Sequence, residues 1–142
     1  CGVPVGCFAA KETVANAMEP GDHGSTYGGN PFVCKAVETV FGMFEENNLL
    51  EHVNKVSSSL WDRLEELKAS YPCIIGHRGL GLMQGLEFNI PAGPIVKNTI
   101  ANGCILISAG TNIIRFVPPL IVEEKHIDEM IVALKKALDS CK

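Results

Sequence analysis

The run LKASYPCIIGHRGLGLMQGLEF, residues 67–88, marks the point where one structural texture gives way to another. On its N-terminal side Leu49, Val53, Val56, Leu60, Leu64 and Leu67 recur at steps of three and four, the period of one face of a helix. Tyr71-Pro72 stops that helix, because the proline ring disfavours helical backbone in the residue before it. Beyond the proline, Cys73–Gly76 and Leu80–Phe88 read as strands. Gly79, Gly81 and Gly85 resemble a GxGxxG turn, but the spacing is wrong and no helix follows. A dinucleotide-binding reading is therefore disfavoured, and the glycines suit places where backbones approach closely.

Working outward, a second periodic stretch precedes the first. Asn30 suits an N-cap and Pro31 the first helical position, after which Val33, Val37, Val40 and Phe44 recur at helical spacing. Asn47-Asn48 interrupts the pattern, so residues from 31 to 70 form one long helix or two with a break near Asn47. Residues 3–10 read as a short apolar strand, and Lys11–Met18 as a helical turn or two. Downstream, Pro94–Asn102 reads as a helix stopped by Gly103, Cys104–Ser108 and Ile113–Val117 as strands, and Glu123–Leu138 as an amphipathic helix. The second half is predicted to be an α+β unit, a mostly antiparallel sheet with helices on one side.

The totals exclude several classes of function. A chain of 142 residues with 46% apolar and 20% charged content is globular in composition. A net charge of -4 argues against a nucleic-acid surface or a polybasic membrane anchor. No apolar run approaches the ~20 residues that span a bilayer, and the opening CGVPVGCFAA lacks the basic region of a signal peptide. A cytoplasmic location is expected. The six cysteines, at 1, 7, 34, 73, 104 and 141, form no CxxC pair and are expected to be reduced thiols. Histidines 23, 52, 77 and 126 form neither HxxxH nor HExxH, so no metal site is expected.

Two stretches carry candidate chemistry. GDHGSTYGGNP, residues 21–31, places glycines and the hydroxyls of Ser25 and Thr26 at a helix entrance. Such a place suits an anion, or it is a glycine-rich turn with an ordinary N-cap. It lacks the Walker pattern and contains no Lys or Arg. In IIRFVPPL, residues 113–120, Arg115 stands in an apolar strand, where a guanidinium is either structurally paired or clamps a carboxylate. Arg78 offers a further cation, with a surface salt bridge as its default. Ser25 lies outside any GxSxG pattern, which argues against a hydrolytic triad with His23.

Taken together, HGSTYGGNP (23–31), RGLGLMQGLE (78–87) and IRFVPPL (114–120) resemble the class III aminotransferases, which use pyridoxal 5'-phosphate on a type I fold. The resemblance covers essentially the whole chain, and GVPVG (2–6) looks like the tail of the segment that carries the cofactor lysine. NGCILISAGTNIIRFVPPL (102–120) is most similar to the acetylornithine branch, with the ornithine branch close behind.

The resemblance implies an α+β C-terminal small domain joined to the tail of an α/β large domain. Residues 1–45 would end the large domain and begin a connecting helix, 46–72 continue that helix, and 73–142 form the small domain. It implies that Thr26 bonds the cofactor phosphate of the other subunit in a homodimer, and that Ser25 and Arg115 lie at the substrate. The substrates are small amino and keto acids, with neither nucleic acid nor membrane as partner. The cofactor lysine is expected upstream of Cys1, so the chain looks cut from something longer. It would then carry no catalytic residue, be inactive alone, or act only in association.

Overall fold

The computed structural model describes residues 2–140, which divide into two compact units, one ending at Asn48 and one beginning at Leu49.

In the first unit, helix α1 (Glu12–Ala15) is a single turn and α2 (Pro31–Glu46) is the main element. Asn30 starts α2: its backbone is extended, and its Oδ1 accepts a hydrogen bond from the Val33 N–H at 3.1 Å. Pro31 stands in the first turn, where a missing N–H costs nothing. Asn48 then adopts φ 48, a left-handed conformation that asparagine tolerates better than most residues, and two helices result. The strand expected over residues 3–10 is absent. That segment meets no neighbouring strand among the described residues, and a ladder needs two. No residue from 2 to 48 is buried.

The second unit runs α3 (Leu49–Ser70), β1 (Ile74–Leu80), β2 (Met83–Phe88), α4 (Ala92–Ala101), β3 (Ile107–Ala109), β4 (Ile113–Phe116) and α5 (Glu124–Asp139). The strands form one antiparallel sheet in the order β1-β2-β4-β3. The expected hairpin strands are redrawn: β1 continues to Leu80, and Gly81, at φ 56, turns the chain so that Leu80 pairs with Met83. The third strand begins at Ile107 rather than Cys104, opposite Arg115. Its ladder ends where β4 gives way to Val117 and Pro118-Pro119, since proline has no N–H to share.

Alternation along the strands separates two faces. Gln84, Leu86 and Phe88 of β2 and Ile114 and Phe116 of β4 are buried. The apolar ones join Val56, Leu60, Leu64 and Leu67 of α3, Ile95 of α4 and Ile127, Ile131 and Leu134 of α5 in one core. Met83 and Arg115, on the opposite face, are exposed. The α+β architecture and antiparallel sheet expected for the second half are what the structure shows.

Candidate functional site

The Gly-rich turn of the first unit is organised by its own side chains. Ser25 Oγ accepts from the Gly28 N–H at 3.0 Å, and Asn30 Nδ2 donates to the Tyr27 carbonyl at 2.8 Å. A Cβ on Gly28 would lie 2.9 Å from Ser25 Cβ, and Gly29 has φ 66, so both positions require glycine. Thr26 is exposed, and among the described residues nothing hydrogen-bonds its hydroxyl. The turn thus leaves a free neutral donor on a backbone that small residues keep open. A neutral donor on an open backbone is compatible with an anion such as a phosphate.

In the second unit, Arg115 stands on β4 directly opposite Gly85 of β2. Arg78 of β1 faces the same glycine from the other side, so Arg78, Gly85 and Arg115 form one row across the sheet. A hollow of about 620 Å³ lies on this face, lined by Arg78, Leu80, Met83, Gly85, Ile113 and Arg115. The two arginines differ. Arg78 Nη1 pairs with Glu87 Oε2 at 3.2 Å, the surface salt bridge expected by default. Arg115 is exposed, and its side chain forms no ion pair or hydrogen bond among the described residues. Arg115 also borders a second, mostly apolar hollow of about 360 Å³ beside Phe116, Pro118, His126 and Met130.

Ser25 and Thr26 therefore share one turn in the first unit, and Arg115 belongs to the sheet of the second. Cys7, Cys34, Cys73 and Cys104 are free thiols. Burial pushes the Cys104 thiol up, away from the thiolate form that reacts. Among the described residues no three His, Cys, Asp or Glu side chains gather as a metal site, and no helix is long and apolar enough to cross a membrane.

One cluster escaped the sequence reading, which saw only scattered histidines. His77 is buried between α3 and β2, with Glu65 and Gln84 at its two ring nitrogens and Trp61 stacked on its face. The only signal in the sequence was Trp61 and Glu65 four apart on α3.

The family profile of Aminotransferase class-III matches residues 1–138. The chain is 44% identical over 142 residues to the acetylornithine aminotransferase of Thermosynechococcus vestitus, covering 96% of this chain and 34% of that protein. Among solved structures it matches an ornithine aminotransferase of Plasmodium yoelii with a TM-score of 0.83 and 25% identity, over 94% of this chain and 36% of that one. It matches the lysine aminotransferase of M. tuberculosis with a TM-score of 0.79 and 29% identity, over 87% and 29%. The chain spans about a third of the length of the relatives it matches. A profile that covers almost every residue, and an α+β fold that superposes on solved aminotransferases, lead to one conclusion: this chain belongs to the class III aminotransferase family.

Proposed function

We propose that this chain is the C-terminal part of a pyridoxal-phosphate-dependent aminotransferase that moves the δ-amino group of N2-acetylornithine to 2-oxoglutarate, in the cytoplasm and in arginine synthesis. The name carried by the 44%-identical relative supports that donor. The cofactor, when bound, supplies the electron sink for amine transfer. Thr26 would hold its phosphate through a charge-assisted hydrogen bond, and the flanking glycines admit the dianion to the backbone. In a homodimer this turn serves the cofactor of the other subunit. Ser25, whose Oγ already accepts from Gly28, keeps its own hydroxyl hydrogen for a substrate atom.

The observation that carries the proposal is Arg115. An exposed guanidinium without a carboxylate partner among the described residues, on the rim of an apolar hollow, suits bidentate capture of a substrate carboxylate. The experiment is steady-state kinetics of the complete enzyme with Arg115→Ala. Losing a charge-assisted bidentate contact of ~1.5–3 kcal/mol should raise KM for acidic substrates on the order of 10–100-fold. An unchanged KM assigns Arg115 a structural role instead.

The names of the solved neighbours support a second reading, in which ornithine or another ω-amino acid is the donor. A donor panel of N2-acetylornithine, ornithine and lysine separates the two by kcat/KM.

A further inference from the structure

Glu65, His77 and Gln84, with Trp61, form a polar cluster that joins α3 to the β1–β2 hairpin. The His77 side chain is fully buried. Its Nδ1 lies 2.7 Å from Glu65 Oε1 and its Nε2 lies 3.1 Å from Gln84 Oε1. The ring stacks on Trp61, with centroids 3.9 Å apart and 30° between the planes.

Counting protons decides the charge of this ring. Gln84 Nε2 donates to two backbone carbonyls, that of Gly81 at 2.8 Å and that of Ser57 at 3.0 Å. Turning the amide over would set its oxygen against both carbonyls, so the amide is fixed and Oε1 faces the ring. An amide oxygen only accepts, hence Nε2 carries a proton. The hydrogen bond from His77 holds the Glu65 carboxyl below its ordinary range, against the opposing effect of burial and with help from Lys68. An ionised carboxylate also only accepts, hence Nδ1 carries a proton too. Either neutral tautomer would point a lone pair at an oxygen.

We infer that His77 is held as an imidazolium, and that this buried cation is a pH-dependent latch fastening the β1–β2 hairpin to α3. Glu65 faces it from α3, with Lys68 beyond at 3.5 Å from Glu65 Oε2, and β2 offers the neutral Gln84. Among the described residues no other ionisable side chain bonds the ring. The indole face of Trp61 adds a cation–π contact that favours the same charge state. The strand that this latch secures carries Gly85, the register partner of Arg115.

The sign of the pH dependence follows from which form is partnered. Stability from an imidazole bonded in its charged form is present at lower pH and lost as rising pH removes the second proton. Glu65 is bonded in its charged form with a lowered pKa, so its contribution is present above the ordinary carboxylate range and lost as pH falls through the lowered value. The latch is therefore closed while both partners keep their charged forms and opens when either loses its own.

The test is proton–nitrogen NMR of the full chain labelled with 15N-histidine. At neutral pH both ring nitrogens of His77 are expected in the protonated range, converting at higher pH together with the Trp61 indole and Gln84 amide signals. A neutral tautomer at neutral pH overturns the inference. Urea unfolding supplies a second readout. The wild-type midpoint should fall on the alkaline side, whereas Glu65→Gln, whose amide can donate to Nδ1, should flatten that fall. Parallel curves for the two proteins also overturn it.

Discussion

A methyl group on Gly79 would press on the Met83 carbonyl oxygen and lie 2.6 Å from Gln84 Cα, and the residue holds φ 154. Gly79→Ala is thus expected to lower stability by at least about 2 kcal/mol, because both backbone strain and the clash oppose it. Gly93, in α4 with open space around it, is the control. Gly93→Ala should be neutral or stabilising by up to ~1 kcal/mol, since alanine restricts only the unfolded chain there. Thermal unfolding of both variants checks the pair. At the candidate site, Thr26→Val removes a hydroxyl and keeps the shape. It should weaken pyridoxal phosphate retention by ~1.5–3 kcal/mol in a cofactor titration of the complete enzyme, the range for a hydrogen bond to a charged group. Unchanged affinity would remove Thr26 from the phosphate. The motif marked Thr26 only as a candidate, and Arg115 was readable only as a cation with two possible fates. The absence of a carboxylate partner among the described residues depends on segments far from residue 115 in the chain.

The helices α2 and α3 have the same apolar period in sequence but different fates. Leu64 of α3 is fully buried, whereas Phe41 of α2 is 65% exposed and α2 buries no residue. Leu64→Ala is therefore expected to cost ~2.7–5 kcal/mol, the transfer term plus the cavity it leaves. Phe41→Ala should stay within ~0.5 kcal/mol, as surface substitutions do. Urea unfolding of the chain measures both. An apolar stripe states which face a helix would bury, and nothing in its period says whether a partner covers it. The strands show the converse problem. Alternation located β2 and β4, but the β1–β2 turn and the start of β3 were misplaced. Gly81 reverses the chain at a point that alternation cannot mark, and the proline pair limits β3 from across the sheet.

Across the molecule, stability is expected to be uneven. The second unit holds the whole described core, while residues 2–48 bury none of their side chains. A helix of 16 residues with no fully buried residue is marginal in water, because helical propagation alone barely offsets nucleation. Hydrogen exchange of the chain should therefore show α2 amides exchanging orders of magnitude faster than those of α3, as little has to open to expose them. Equal protection in the two helices would contradict this. By itself the sequence determined the helix and strand periods, the stops at Pro72 and Gly103, the cap at Asn30 and the motifs that mark the family, because each is written in neighbouring residues. Only the tertiary structure decided that Gly85 lies between Arg78 and Arg115, that Glu87 takes Arg78 while Arg115 has no carboxylate partner among the described residues, and that His77 meets two acceptors at once. Register and burial bring together residues far apart in the chain, and the charge of a buried ring follows from the partners that this packing supplies.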